Sequence, residues 1–191
     1  PGRFAQAPDE LFERAMAVNY FGSLWCVRAA LPAMTAAGSG HIALLASGAG
    51  LVGLFGYSPY APTKFAVRGL AESLRGELAP VGVRVSVVYP PDTDTPQLAA
   101  ERAARPAETD RIVGLAPALS AGAVADAILK GLDRGRFAIC PGWRMAALHA
   151  FGGLAAPLLS RHFDRIVVKE ARRAGTDQAA RRPSDEASDP R

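Results

Sequence analysis

The run His41-Ile42-Ala43-Leu44-Leu45-Ala46-Ser47 decides the fold. It is almost continuously apolar, it follows the turn Gly38-Ser39-Gly40, and it runs into a glycine-punctuated loop from Gly48 to Gly56. A short apolar run of this kind suits a strand in a parallel sheet that is covered on both faces. Two more follow it, at Val83 to Tyr89 and at Arg136 to Cys140. Helical patterns stand between them. One opens at Pro8 with Asp9 and Glu10 behind it and continues through the apolar stretch to about residue 35. A second starts near Ser58 and runs to about Leu78, where Pro80 and Gly82 break it. A third is capped by Ser120 and continues through Arg134, with Gly135 as its stop. Helix, strand, helix, strand, helix, strand spells an α/β chain of the doubly wound kind, and three strands make half of such a sheet. The segment from Pro90 to Leu119, rich in Ala, Arg and Pro, reads as loop and lid.

Composition narrows the function classes. The chain has 191 residues and a formal charge of +4. Of its 22 basic residues only Lys64, Lys130 and Lys169 are not Arg. No basic run with interleaved aromatics is present, which argues against nucleic acid as a partner. Cys26 and Cys140 form no Cys-x-x-Cys and read as small core residues, in keeping with a cytoplasmic protein. His41, His149 and His162 lack metal-ligand spacing, so no metal site is expected. Met145 to Leu159 is apolar but shorter than the roughly 20 residues needed to span a bilayer. An ordinary core helix is the default there. A stretch that lies peripherally on a membrane surface, or covers a greasy site, stays open.

Ser47, Tyr60 and Lys64 are spaced by thirteen and four residues. Tyr60 and Lys64, four apart on a helix, share one face with Cβ atoms about 5–6 Å apart. A phenol ordinarily holds its proton up to a pKa of about 10, and an adjacent ammonium favours the phenolate. Ser47 closes its strand, so its hydroxyl emerges at the carboxyl end, where open α/β sheets place their ligands. Three such groups can polarise a carbonyl and deliver a proton to its oxygen.

Asn19, which precedes Ser47 by 28 residues, completes a set with Ser47, Tyr60 and Lys64 that resembles the short-chain dehydrogenase/reductase superfamily, from residue 1 to about 142. The resemblance implies the C-terminal part of a Rossmann-type domain. It assigns Ser47 to the substrate carbonyl, Tyr60 to acid–base chemistry, Lys64 to the nicotinamide ribose and to lowering the Tyr60 pKa, and Asn19 to a proton-relay water. The run Tyr89-Pro90-Pro91-Asp92-Thr93-Asp94-Thr95-Pro96 departs from the usual Pro-Gly of the superfamily. It becomes a cofactor loop in which Pro90, Pro91, Thr93 and Thr95, with Tyr60 and Lys64, meet the cofactor.

That run, with Gly53 to Tyr57, Lys64 to Glu72 and the positions Glu101, Arg105-Pro106 and Glu108-Thr109, is similar to the 3-ketodihydrosphingosine (3-dehydrosphinganine) reductases. The resemblance implies NADPH-dependent reduction of the keto group of 3-oxosphinganine to sphinganine, a step of sphingolipid synthesis. Such a substrate carries a long chain and an amine, for which the lid, about 97–119, offers Glu101, Glu108 and Asp110. The alternative is another hydrophobic ketone or alcohol, such as a steroid or an acyl thioester. The superfamily pairs through the helices matching 8–35 and 58–79, so a homo-oligomer is an open expectation. The opening Pro1-Gly2-Arg3-Phe4 reads as mid-phrase. The glycine-rich phosphate loop and the N-terminal βαβ units belong upstream of it. A chain without them is expected to be inactive or to aggregate alone, and a non-catalytic fragment is the third reading. Residues 143–174 read as an apolar, amphipathic helical extension, and 175–191 as a disordered tail.

Overall fold

The computed structural model describes residues 1–113 and 117–180. Strands β1 (Gly40–Leu45), β2 (Val83–Val88) and β5 (Ala138–Ile139) form a parallel sheet in the order β1-β2-β5. Gly40 stands opposite Val83 and Leu45 opposite Val88, while Val88 meets Ile139 on the other side. Every residue of β2 except Arg84 is buried, as expected of a central strand covered on both faces. β1 lies at the edge of this sheet, and its Leu45 is 53 % exposed.

Helix α3 (Ala61–Leu78) packs on β1 and β2 through Val67, Ala71 and Leu78. The core joins these to Val27, Ile42, Leu44, Val85, Val87 and Tyr89. A hydrogen-bonded thread laces the sheet internally. His41 Nε2 lies 2.7 Å from Ser86 Oγ, and the Ser86 hydroxyl donates to Arg136 O at 2.7 Å. These polar groups, inside a buried sheet, are therefore partnered.

The single helix expected over 8–35 is three pieces. α1 (Asp9–Met16) passes into a π-turn at Ala17–Phe21 and then α2 (Gly22–Ala37). The Gly22 N–H reaches back five residues to Ala17 O. A widened turn of this kind is uncommon and often marks a functional position. Here it carries Asn19.

The stretch 90–119 is not the plain loop expected. It holds a two-residue parallel pair, β3 (Thr93–Asp94) with β4 (Leu119–Ser120), and two helices, α4 (Pro96–Ala104) and α5 (Ala107–Val113). The reason is local. The Thr95 hydroxyl accepts from the Leu98 N–H and caps α4, and Pro96 follows at the first helical position. Residues 114–116 of this lid lie outside the described residues. Ser120 does cap α6 (Ala121–Asp133), its hydroxyl accepting from the Ala123 N–H at 3.1 Å.

Helix α7 (Trp143–Ala180) covers the extension and continues past Gly175, where a tail was expected. The rest of that tail, 181–191, lies outside the described residues. Met145 approaches Gly48, and the His149 ring stands 5.3 Å from that of Tyr89, so the start of α7 sits over the carboxyl end of the sheet. Trp143, Phe151, Leu154 and Leu158 face outward. No helix among the described residues is long and apolar enough to cross a membrane.

Candidate active site

Ser47 stands two residues beyond the end of β1, in extended backbone. Its hydroxyl oxygen accepts from the Ala49 N–H at 3.2 Å. The next residue, Gly48, donates its N–H to Pro90 O at 3.1 Å, which fastens this corner to the exit of β2. Gly50 lets the corner seat on α3, because a Cβ there would come within 2.9 Å of Lys64 O. Without that close approach Ser47 could not face the first turn of α3.

Tyr60 is the N-cap of α3, and the helix starts at Ala61 rather than near Ser58. Pro62 sits in the first turn, where a missing N–H leaves nothing unsatisfied. The Lys64 N–H still reaches Tyr60 O, so the two side chains keep the one-turn relationship. Lys64 Nζ donates to Leu45 O at 3.1 Å and lies 5.4 Å from the centroid of the Tyr60 ring.

Electrostatics correct one expectation. The Tyr60 phenol is pushed up from 10.0 to about 12, not down. Burial is the main cause, since it penalises the phenolate. The hydrogen bond with Ser47 opposes this, while the Glu101 and Asp92 carboxylates add to it. Lys64 is itself lowered by burial, with Glu101 opposing. Desolvation of both groups outweighs the attraction that their spacing promised.

Asn19 Nδ2 donates to Thr63 Oγ1 at 3.0 Å, and the Thr63 hydroxyl donates to Tyr60 O at 2.7 Å. Asn19 O accepts from the Ser23 hydroxyl at 2.7 Å. The π-turn is thereby tied to the turn that carries Tyr60. In the 90–95 loop the Thr93 hydroxyl donates to Pro91 O, and that of Thr95 donates to Thr93 O. Both threonines thus stiffen the loop beside Ser47.

A second cluster stands behind Tyr60, and its composition was not foreseen. The Tyr57 ring meets that of Tyr60 edge-on, with centroids 5.8 Å apart. Arg105 Nε donates to the Tyr57 hydroxyl at 2.7 Å. Its two terminal nitrogens donate to the two oxygens of Asp92, each at 3.0 Å. Burial opposes the Arg105 charge, but Asp92 and Tyr57 outweigh it and hold the guanidinium firmly protonated. Tyr57 and Arg105 stand in quoted runs, yet no spacing signals that they meet. The three lid acids separate clearly. Glu108 is buried and paired with Arg3, Asp110 points largely to solvent, and Glu101 turns toward Tyr57 and Arg105.

The short chain dehydrogenase profile matches residues 1–106. The chain belongs to the short-chain dehydrogenase family. It is 47 % identical to a 3-ketodihydrosphingosine reductase of Dictyostelium discoideum over 141 residues, which are 73 % of this chain and 42 % of that protein. It is 41 % identical to a 3-dehydrosphinganine reductase of Danio rerio over 136 residues, 71 % of this chain and 41 % of that one. The chain thus spans about two fifths of the length of these relatives. Among solved structures it resembles a short-chain dehydrogenase from Sphingobium yanoikuyae in complex with NADPH, with a TM-score of 0.66 and 26 % identity, over 98 % of this chain and 63 % of that one. The parallel sheet and its flanking helices are therefore part of the Rossmann-type short-chain dehydrogenase fold, with the candidate residues at its carboxyl edge.

Proposed function

We propose that the protein reduces the keto group of 3-oxosphinganine to sphinganine with NADPH. The observation that carries the reading is the joining of Ser47, Tyr60 and Lys64 in one corner at the carboxyl ends of β1 and β2. The similarity to reductases of that name supplies the substrate class.

The donor set fits a nicotinamide nucleotide. Lys64 makes one hydrogen bond, to Leu45 O, from an ammonium with three donors, which suits ribose hydroxyls. The Thr95 hydroxyl donates to Thr93 O and accepts from the Leu98 N–H. Its remaining lone pair suits the N–H of a carboxamide. Tyr60, Lys64, Pro90, Pro91, Thr93 and Thr95 would hold the group, and the group supplies the hydride. Ser47 and Tyr60 would turn their hydroxyls to the ketone oxygen, where negative charge develops as the carbonyl is reduced. Tyr60 then gives its proton to that oxygen. Asn19, through Thr63, keeps the Tyr60 turn in place while the proton is restored.

The same reading includes a cytoplasmic enzyme with two surfaces. Exposed Phe21, Trp25 and Phe65 support pairing of copies through the helices 8–35 and 58–79. Exposed Phe151, Leu154 and Leu158 on α7 support a peripheral membrane contact. The test is turnover of 3-oxosphinganine by the intact protein, followed by loss of NADPH absorbance. Good turnover of a steroid ketone, with none of 3-oxosphinganine, overturns the reading.

A further inference from the structure

The amine of a keto-sphingoid base sits on the carbon next to the carbonyl. Whatever balances its charge must stand within about one side chain of Tyr60. Of the five carboxylates in the 90–113 stretch, Asp94 is exposed on β3, and contacts rank the other four. Asp92 has both oxygens held by Arg105 at 3.0 Å, so its charge is already matched. Glu108 has a side chain only 4 % exposed and is paired with Arg3. Asp110 lies 3.9 Å from Arg105 but turns 58 % of its side chain to water.

Glu101 differs from all three. Its Oε2 stands 3.4 Å from the Tyr57 hydroxyl, a long bond, and 4.0 Å from the nearest Arg105 nitrogen. The Tyr57 ring in turn touches that of Tyr60, so one aromatic side chain separates this carboxylate from the phenol. Its Oε1 accepts from Gln97 Nε2 at 2.7 Å, which fixes the direction of the carboxylate from one turn below on α4. The side chain is 21 % exposed, open enough to be reached and buried enough for its charge to count. Its field already acts on both Tyr60 and Lys64.

We propose that Glu101 receives the ammonium of the substrate and so selects an amino ketone over the same long-chain keto alcohol without its amine. Tyr57 and Gln97 position the carboxylate, and Arg105, whose two terminal nitrogens donate to Asp92, gives it only a contact at 4.0 Å and no hydrogen bond. This rests on the keto-sphingoid reading above.

The experiment compares kcat/KM for 3-oxosphinganine with that for its des-amino analogue, in the intact protein with NADPH. Glu101→Gln is expected to lower the preference for the amine roughly 10- to 100-fold, mainly through KM, the range of a charge-assisted hydrogen bond lost. Glu101→Asp, which keeps the charge but shortens its reach, is expected to retain part of the preference, and Asp110→Asn all of it. Thermal melts establish that each variant folds. If Glu101→Gln folds poorly, Glu101→Asp carries the test alone, and an undiminished preference in it overturns the proposal. A preference unchanged in a folded Glu101→Gln, or lost equally in Asp110→Asn, also overturns it while leaving the reductase reading intact. Failure of the unsubstituted protein to reduce 3-oxosphinganine, with turnover of another ketone, overturns both.

Discussion

Arg105 grips Asp92 with two parallel hydrogen bonds of 3.0 Å, and its third nitrogen holds the Tyr57 hydroxyl. One side chain therefore joins the lid helix α4 to the 90–95 loop and to the turn before Tyr60. The joint is reinforced nearby. The Thr109 hydroxyl donates to Phe55 O at 2.8 Å, and Gly56, at φ 75°, packs where a Cβ would lie 2.7 Å from Thr109 Oγ1. Arg105→Ala strips Asp92 of both short hydrogen bonds and leaves it only the looser contact with Arg102, 3.9 Å away. Breaking a buried pair costs about 3–5 kcal/mol, and partial exposure of Asp92 reduces this to roughly 2–4 kcal/mol. Denaturant melts of the two proteins check the value, and Arg105→Lys is expected to recover less than half, because it cannot make the fork.

Asn19 is expected to act by holding α3 rather than through its own polar group alone. Asn19→Ala removes the donor to Thr63 Oγ1, a loss of about 0.5–1.5 kcal/mol. Thr63→Val removes the same bond from the other side. If positioning is the role, both variants lower kcat by similar factors and the double variant is no worse than either alone. A water-relay role instead predicts that Thr63→Val leaves kcat nearly intact. Steady-state kinetics of the cycle decide between them.

These two cases mark how far sequence reasoning reaches. Tyr60 and Lys64 were legible because one helical turn sets their relation, and Ser47 because a strand end has a direction. The three strands were legible from apolar runs whose ends are marked by glycine. Arg105 and Tyr57, 48 positions apart, meet only through tertiary packing that no period reports. The lid helices carried a local signal, Thr95 before Pro96, but α4 lacks the apolar stripe that marks a helix on a core. The direction of the Tyr60 pKa was misread for a related reason. Spacing reports which charges are near, not how much water remains.

The raised Tyr60 pKa has a pH consequence of definite sign. A phenol whose folded pKa stands near 12, against 10.0 unfolded, binds its proton more tightly in the native state. The stability this contributes is fully present below about pH 10 and is lost as pH rises toward 12. Tyr57 and Tyr89 are also pushed up to about 12, chiefly by burial. A phenolic-absorbance titration of the folded protein is expected to show a late-titrating group that Tyr60→Phe diminishes. The same variant is expected to lose roughly 10²- to 10⁴-fold in kcat, the usual contribution of a positioned acid. A Tyr60→Phe protein that titrates identically would show that the phenol is not held as described.

Lys64 bears the opposite relation between stability and activity. Its folded pKa is lowered by burial, so its charge disfavours the native state at neutral pH, and that penalty fades as pH rises through the lowered folded value and is gone above the ordinary lysine value of 10.5. Lys64→Met keeps the stem and removes the buried charge, at the loss of one hydrogen bond to Leu45 O. The expected melting temperature is equal or higher, because replacing a poorly solvated charge by an apolar isostere is often neutral or stabilising. Activity is expected to fall about 10²- to 10³-fold, as when one preorganised donor is removed from a reaction site. Calorimetry and kinetics on one preparation read both quantities. For a chain of this size about 1 kcal/mol corresponds to roughly 2–4 °C. A melting temperature lower by more than about 4 °C would mean that the bond to Leu45 O outweighs the cost of burying the ammonium, and that Lys64 serves the fold before the chemistry.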